Sequence, residues 1–267
     1  MYYDYHMHSS FSEDSKIPMD DMIKKSIELG LREICFTEHI DYSVIKEEKE
    51  IDISIDYDNY FSQLNYFKEL YKNDISIKNG IEVGLQHCVL DRCLELTANN
   101  NFDFVIASIH TIDKHELIRK EFYKDKTQYE AYREYYQILY DMIKKFKGYS
   151  VLGHVDLVKR YGDLNNIVDD KIFSDEIDQI LKTVIYDGKG IEVNTSCFRY
   201  RLPDLTPSSY ILRRYKDLGG EIITTGSDAH NTSQIAYEFK TVYSTLKDIG
   251  YKYICNFDKM KPNFIKL

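Results

Sequence analysis

Six of the eight histidines lie at the ends of short apolar runs that the sequence predicts as β-strands, and three acidic residues lie at equivalent places. Together they give nine candidate metal ligands: His6, His8, Asp14, His39, Glu82, His110, His154, Asp228 and His230. Imidazole and carboxylate groups suit Zn, Mn or Fe, and the absence of thiolate ligands argues against a structural zinc site. The pattern therefore predicts an open, hydrolytic site that holds several divalent ions.

The spacing of the first two histidines supports this interpretation. His6 and His8 are two residues apart in a segment predicted to be extended, so both imidazoles project from one face and can reach one ion. A lone histidine is more often a hydrogen-bonded core or surface residue than a ligand, but six at strand ends favour metal. His87 and His115 have no preceding strand, and we expect them to be ordinary surface residues.

Strand-like and helix-like runs alternate along the chain, which indicates βα units around a parallel sheet. Beyond the first strand, strands are predicted at 32–37, from about 75, at 190–195 and 221–225, and near 251–255. Two more are predicted in the apolar runs that end at His110 and His154. Helices are predicted at 20–29, 57–72, 87–99, 126–147, 174–186, 207–218 and 233–249. Asp20 and Thr206 are the expected caps of two of these helices, with Pro207 as a first helical residue. In a parallel barrel the carboxyl ends of the strands share one face, so the nine candidate ligands are expected to converge.

Composition limits the class of protein. A chain of 267 residues is compatible with one α/β barrel domain over 1–267, and 43% hydrophobic residues allow a large core. The net charge of −9 and the lack of a Lys/Arg stripe make nucleic acid an unexpected main partner. No apolar run is long enough to span a bilayer, so no membrane partner is expected. Histidines within the first ten residues leave no room for a cleavable signal, and five cysteines without a CxxC pair indicate a reducing cytoplasm.

The candidate ligands belong to motifs that occur in a fixed order. They are His-x-His at 6–8, Thr-Glu-His at 37–39, Glu82, Ser-x-His at 108–110, Gly-His-x-Asp at 153–156 and Ser-Asp-Ala-His at 227–230. This ordered set resembles the polymerase and histidinol phosphatase (PHP) family, and it is most similar to the stand-alone histidinol-phosphate phosphatases. The resemblance covers nearly the whole chain.

The resemblance implies an α/β fold, a distorted (β/α)7 TIM-like barrel, with a trinuclear metal centre at the carboxyl ends of the strands. The cofactors would be three divalent transition-metal ions, Zn, Mn or Fe. The implied ligands are His6, His8, Glu82 and Asp228 for the first ion, Glu82, His110 and His154 for the second, and Asp14, His39 and His230 for the third. Many relatives carry histidine where this chain has Asp14, and that difference can change the metal preference.

Phosphate-monoester hydrolysis suits such a centre, because close metal pairs supply a nucleophilic hydroxide and offset the charge of the transferring phosphoryl group. Glu82, as a ligand shared by two ions, would hold such a pair. Three divalent ions would balance three carboxylates, one hydroxide and a phosphate dianion, giving a site that is about neutral. The leaving alkoxide needs a proton, for which Asp228 or a histidine of the third ion, such as His230, is available; the sequence does not choose between them.

Two arginines are expected to bind the phosphate. Arg160 and Arg199 follow predicted strands on the metal side, where a planar guanidinium can bind phosphate oxygens, and both match arginines of the histidinol-phosphatase branch. Arg201 is an alternative to Arg199. Asp41, His115 and Glu116 are placed in loops on the same side, where each contacts a cationic substrate group or is simply exposed. The charged run 46–50 is interpreted as a solvated loop or as part of a lid.

The sequence thus predicts a cytoplasmic metal-dependent phosphatase whose partner is a small phosphate ester, with L-histidinol phosphate as the expected substrate. One alternative is a PHP phosphoesterase that acts on a small nucleotide or another phosphate ester. A second alternative is a non-catalytic metal-binding PHP module. The oligomeric state, the native metals and the residues that recognise the imidazole are not determined by the sequence.

Overall fold

The computed structural model describes all 267 residues. The strands are β1 (Tyr3–Met7), β2 (Glu33–Lys46), β3 (Lys49–Ile53), β4 (Ser76–Gly84), β5 (Phe104–Ser108), β6 (Thr111–Ile112), β7 (His115–Glu116), β8 (Val151–Leu152), β9 (Gly190–Asn194), β10 (Ile223–Gly226), β11 (Tyr253–Asp258) and β12 (Lys261–Lys266). The helices are α1 (Met19–Glu28), α2 (Tyr57–Leu70), α3 (Leu90–Asn99), α4 (Gln128–Lys145), α5 (Val158–Tyr161), α6 (Ser174–Tyr186), α7 (Ser196–Arg199), α8 (Ser209–Asp217) and α9 (Phe239–Ile249).

Seven of these strands form a parallel sheet in the order β1-β2-β4-β5-β8-β9-β10. The two outer strands approach each other where Met7 bridges Ala229, and the Asp228 N–H donates to the carbonyl of His6 at 2.8 Å. The sheet is therefore a nearly closed barrel. It is distorted because β8 has only two residues and β1 shifts its register against β2 between Asp4 and Met7. The predicted distorted (β/α)7 barrel is confirmed.

The charged run after the second strand is an ordered part of the sheet and not a free loop. The second strand was predicted to end at Thr37, but β2 continues to Lys46 and turns back into β3. Glu47 and Glu48 form the two-residue turn with φ of 50° and 64°, the conformation that matches the twist of a tight hairpin. The run 46–50 is thus an ordered β-hairpin on the rim of the barrel.

Three further element boundaries were predicted wrongly. Helix α8 begins at Ser209 and not at Pro207, and Ser208 is its cap, accepting a hydrogen bond from the Ile211 N–H. Helix α1 begins at Met19, so Asp20 lies inside its first turn instead of capping it. Helix α9 begins at Phe239 and not at Ser233. The last predicted strand is present as β11, which lies outside the ring and pairs antiparallel with β12.

The main core lies between the helices and the outer surface of the barrel, where 47 buried side chains form one cluster. Helix α4 contributes Tyr132, Tyr135 and Tyr136 to it, each at most 1% exposed, so part of the high tyrosine content is structural. A smaller cluster joins four barrel strands to the C-terminal hairpin through Phe257, whose N–H donates to the Tyr5 hydroxyl at 2.8 Å. No helix combines the length and the apolar character needed to cross a membrane.

Tyr60 provides a test of how α2 is attached to the barrel. Its buried hydroxyl shares its one proton between the carbonyl oxygens of Gly80 at 2.8 Å and Phe36 at 3.1 Å. Because Tyr60→Phe removes this hydroxyl and its buried hydrogen bonding, we expect a loss of about 0.5–1.5 kcal/mol in the free energy of unfolding by urea. Tyr66→Phe on the same helix is the matched control, since Tyr66 is 63% exposed and should change the stability by less than about 0.5 kcal/mol. Equal effects of the two variants would contradict this account.

Candidate metal centre

The centre of the site is the carboxylate of Glu82, which has no exposed surface. Parallel pairing places Glu82 of β4 beside His39 of β2, so these two side chains reach the site from neighbouring strands. The other candidate ligands lie at or beyond the carboxyl ends of β1, β5, β8 and β10. The barrel therefore brings together residues that are as far apart in sequence as His6 and His230.

One set of ligands lies against Glu82 Oε2. His6 Nε2 is 3.1 Å from this oxygen, and His8 Nε2 is 3.7 Å from it. His8 Nε2 also lies 3.6 Å from Asp228 Oδ1. The donor atoms of His6, His8 and Asp228 are all within 4.8 Å of one another, a separation at which one ion can bind all three.

A second set lies against the other oxygen of the same carboxylate. Glu82 Oε1 is 3.1 Å from His110 Nε2 and 3.0 Å from His154 Nε2, and the three donor atoms form a compact group. Ser108 donates a hydrogen bond of 2.6 Å to Oε1 and fixes its direction. Glu82 thus separates two ligand sets and presents one oxygen to each.

The third predicted set is more open to solvent. Asp14 Oδ2 is 3.0 Å from His230 Nε2 and 3.5 Å from His39 Nε2, and the Asp14 side chain is 56% exposed. His8 also joins this region, because the donor atoms of His8, His39 and His230 lie within 4.8 Å of one another. His8 therefore lies between the first and third sets.

The protonation states of His8 and Glu82 suit cations. Burial and the neighbouring His39 and His230 lower the pKa of His8, so its ring stays neutral and can donate a lone pair. Burial alone would raise the pKa of Glu82, but His6, His110 and His39 hold that pKa well below its ordinary value. The buried Nε2 atom of His8 has no hydrogen-bond partner. Unpaired buried nitrogens beside ionised carboxylates are what divalent ions would satisfy, so the residues fit such ions.

Three acidic residues that support the candidate ligands were missed or misplaced by the sequence reasoning. Asp41 lies in β2, not in a loop, and both of its carboxylate oxygens are 3.1 Å from His110 Nδ1. Glu38 accepts hydrogen bonds from the backbone and hydroxyl of Ser9. Glu192 of β9 is 2.6 Å from His6 Nδ1. The sequence signal for Glu192 was its acidic side chain inside an apolar strand, which is unusual unless the carboxylate has buried partners.

Arg160 lies at the wall of a cavity of about 650 Å³ that opens above the ligands. Its guanidinium donates to the Ser196 hydroxyl, lies 3.5 Å from Asp228 Oδ2, and covers the ring of Tyr200 at 4.5 Å. Its Nε is buried without a partner. Arg160 is thus held in place at the cavity wall, and only one of its guanidinium nitrogens, Nη2, is engaged by Ser196.

Arg199 lines the same cavity, but its guanidinium binds backbone carbonyl oxygens. Its Nη1 and Nη2 donate to the carbonyl oxygens of Ser227 and Asp228, both at 2.7 Å. Arg199 therefore holds the loop that carries Asp228, and only its remaining N–H groups are available to a phosphate. Arg201, the alternative, is exposed and does not line the cavity.

The mouth of the cavity is formed partly by the β2–β3 hairpin. Lys46 pairs with Glu13 and lies 3.6 Å from Glu116, and Arg119 is 3.3 Å from Glu116. Glu116 lines the cavity and is 19% exposed. His115 is half-buried and does not line it. Of the three residues considered for a cationic substrate group, Asp41 and Glu116 line the cavity. The Asp41 carboxylate is already engaged by His110, which leaves Glu116 as the better-placed candidate.

Comparison with known proteins agrees with this geometry. Residues 4–196 match the family model of the PHP domain. The chain belongs to the PHP domain family. The family resemblance predicted from the ordered motifs is thus confirmed, and the match covers most of the PHP barrel.

Two PHP relatives are similar over almost their whole length. The chain is 33% identical to a histidinol-phosphatase of Lactococcus lactis, covering 97% of this chain and 95% of the relative. It is 29% identical to a probable histidinol-phosphatase of Clostridium acetobutylicum, covering 94% and 95%. The crystal structure of the L. lactis histidinol phosphate phosphatase complexed with Zn, L-histidinol and phosphate superposes with a TM-score of 0.91, at 32% identity and 98% coverage of both chains. A putative histidinol phosphatase of Listeria monocytogenes shares the fold at a TM-score of 0.73.

The position of Glu82 leads to a prediction about metal content. Glu82→Gln should lose more bound metal than Asp14→Asn, because Glu82 presents one oxygen to each of two ligand sets while Asp14 is at the exposed margin. Elemental analysis after gel filtration measures the difference. The two substitutions remove the same charge, so equal metal content in both would contradict a shared ligand at Glu82.

Proposed function

We propose that this protein hydrolyses L-histidinol phosphate to L-histidinol and phosphate, using three divalent ions held at the barrel mouth. The observation that carries the proposal is the single buried carboxylate of Glu82 between two histidine sets, with an anchored arginine beside it. The substrate assignment is supported by the L. lactis relative, whose crystal structure contains Zn, L-histidinol and phosphate. The cofactor is accordingly proposed to be Zn, with Mn or Fe as the other candidates.

The ligands would be distributed as the family pattern implies. His6, His8, Glu82 and Asp228 would hold the first ion, Glu82, His110 and His154 the second, and Asp14, His39 and His230 the third. When bound, the ions would activate a water molecule and offset the negative charge that builds up on the phosphoryl group. The chain supplies the rest of the chemistry: it orients the phosphate, excludes solvent around Glu82 and provides a proton for the leaving group.

Of the two candidates for the proton donor, the structure favours His230. Although burial raises it, the pKa of Asp228 is held well below its ordinary value by His6, His8 and His230, so the carboxyl group is ionised at neutral pH. An ionised carboxylate has no proton to give. His230 lies beside it, with Nδ1 at 3.5 Å from Asp228 Oδ1, and lines the cavity. We propose that His230 protonates the leaving alkoxide through Nε2 when this atom holds a proton instead of the third ion; its Nδ1, 3.0 Å from the Asp228 carbonyl oxygen, keeps the ring in place.

The state of the cysteines bears on where the protein works. All five cysteines are free and four of them are buried, which suits a reducing compartment. We therefore propose a cytoplasmic enzyme that works as one barrel domain over 1–267, with a small phosphate ester and not nucleic acid as its partner.

The proposal is tested by turnover of a phosphate panel. Metal-loaded protein should hydrolyse L-histidinol phosphate faster than nucleotide or sugar phosphates, and thorough chelation should abolish activity that added Zn, Mn or Fe restores. A nucleotide as the best substrate would support the alternative of a PHP phosphoesterase of other specificity. No turnover of any ester by protein with its full metal content would support a non-catalytic metal-binding module.

Arg160 should act on the phosphate and not on the metals. Arg160→Ala removes charge-assisted hydrogen bonds of about 1.5–3 kcal/mol, so kcat/KM should fall roughly ten- to a hundredfold while the metal content is unchanged. Lysine should restore little, because it lacks the planar fork. Arg201→Ala is the matched control, since Arg201 lies outside the cavity. Arg199→Ala should also lower kcat/KM, through the phosphate and through the Asp228 loop that it holds. Unchanged efficiency in Arg160→Ala would contradict its assignment.

Glu116 should contribute to substrate choice. L-Histidinol phosphate carries an ammonium group that an aryl phosphate lacks, and binding this remote group can orient the phosphorus for attack. We expect kcat/KM for L-histidinol phosphate to exceed that for p-nitrophenyl phosphate by at least ~100-fold, about 2.7 kcal/mol. Glu116→Gln should reduce that ratio while leaving aryl-phosphate turnover unchanged. Glu50→Gln, whose carboxylate pairs with Lys114 outside the cavity, should leave the ratio unchanged.

A further inference from the structure

The carboxyl end of β9 carries three buried polar residues that are not among the candidate metal ligands. Glu192, Asn194 and Ser196 occur at every second position from β9 into α7, and none is more than 1% exposed. Side chains at alternate positions of a strand lie on one face, so β9 directs Glu192 and Asn194 into the barrel. We call these three residues the β9 polar chain.

One end of the β9 polar chain contacts the metal ligands. Glu192 Oε1 is 2.6 Å from His6 Nδ1, and Glu192 Oε2 accepts a hydrogen bond of 3.0 Å from the backbone N–H of His154. A carboxylate at Nδ1 leaves Nε2 of the same ring free to bind an ion. Glu192 thus orients one residue from each of the two ligand sets that Glu82 separates.

Gly226 leaves room for the contact between Glu192 and His6. A Cβ atom on Gly226 would lie 2.1 Å from Glu192 Oε1 and 2.4 Å from the His6 Cβ. Only glycine lets β10 pass so close to both side chains. The backbone of β10 is therefore arranged to accommodate the Glu192 side chain.

Asn194 connects the two ends of the β9 polar chain through its side-chain atoms Nδ2 and Oδ1. Its Nδ2 lies 3.2 Å from Glu192 Oε2 and 3.4 Å from Asp228 Oδ2. Its Oδ1 accepts hydrogen bonds from the backbone N–H of Ser196, at 2.9 Å, and from the Ser196 hydroxyl. An amide meets this requirement, because one end donates to carboxylates while the other accepts. Aspartate has the same shape but would place a third carboxylate beside two others.

The other end of the β9 polar chain holds Arg160, the proposed phosphate ligand. The Ser196 hydroxyl donates to Asn194 and accepts a hydrogen bond from Arg160 Nη2. Arg160 Nε stays without a partner. A guanidinium that is already fixed loses less conformational freedom when the phosphate binds, so its hydrogen bonds contribute more to affinity.

We propose that the β9 polar chain is a positioning device that fixes the distance between the metal ligands and Arg160, with Asn194 as the residue that couples the two. None of its members is proposed to touch metal or substrate. The inference rests on the proposed function in one respect, since it takes His6 and Asp228 as metal ligands and Arg160 as the phosphate ligand. It predicts that substitution of Glu192 weakens metal binding alone and that substitution of Ser196 weakens phosphate binding alone. Substitution of Asn194 should weaken both.

The test uses the full-length protein and two measurements that need no turnover. The first is the metal retained, by elemental analysis, after equilibration with a fixed concentration of a chelator. The second is the dissociation constant of inorganic phosphate for metal-loaded protein, measured by calorimetry. Ser196→Ala should keep its metal but bind phosphate about tenfold more weakly, whereas Glu192→Gln should lose metal at chelator concentrations that the natural protein resists. Asn194→Asp should be impaired in both.

Two further variants exclude general damage. Ser196→Thr keeps the hydroxyl and should restore phosphate binding. Thr195→Val is the matched control, because the buried Thr195 hydroxyl lies between Asn194 and Ser196 in sequence but has no hydrogen-bond partner. It should match the natural protein in both measurements. If Asn194→Asp does not fold, as judged by circular dichroism, the same double loss is expected of Asn194→Ala.

The proposal is overturned if the Asn194 variants match Thr195→Val, or if Ser196→Ala loses as much metal as Glu192→Gln. These outcomes are separate from the fate of the proposed function, because neither measurement uses L-histidinol phosphate. A natural protein that shows the expected pattern of variants but does not hydrolyse L-histidinol phosphate would refute the substrate assignment alone.

Discussion

The burial of the Glu82 carboxylate is the constraint on which the rest of the site depends. An isolated carboxylate in a protein interior is costly unless positive charge and hydrogen bonds surround it. Here Ser108 and the rings of His6, His110 and His154 supply them. Although burial lowers the pKa of His6 and His110, the adjacent carboxylates raise it well above its ordinary value. Protons and metal ions therefore compete for the same nitrogens, so metal binding must release protons.

The backbone around the site is held in conformations that cost energy. His154 and Asp228 have positive φ angles of 21° and 53°, which cost roughly 1–3 kcal/mol each for residues other than glycine. Hydrogen bonds on both sides retain them. Glu192 accepts from the N–H of His154, while Asp4 accepts from the N–H of Ser227 at 2.9 Å and Arg199 donates to the carbonyl of Asp228. Glu192, Asp4 and Arg199 thus hold the backbone that carries His154 and Asp228 in place.

The sequence allowed the barrel and its polar rim to be predicted because both follow local rules. Apolar runs that end in His110 or His154 can be recognised without a structure, and parallel strands must bring their carboxyl ends together. Glu192 and Asp41 could not be assigned in this way, because their roles depend on which strands are neighbours across the barrel. The start of α8 was placed too early because Pro207 has the composition of a first helical residue, whereas Ser208 makes the capping hydrogen bond.

The fold allows a strongly polar centre without losing its hydrophobic core. In this barrel the 47-residue cluster lies outside the sheet, between its outer surface and the helices, whereas the upper interior is occupied by charged and polar side chains. Stability and ligand geometry therefore depend largely on different faces of the same strands. Residues such as Val83 and Val193 point to the outer core, while their neighbours Glu82 and Glu192 point to the site. A strand that shifted by one residue would exchange these two faces. Strand register, more than any single ligand, is therefore what keeps the candidate ligands and Arg160 on the same side of the barrel.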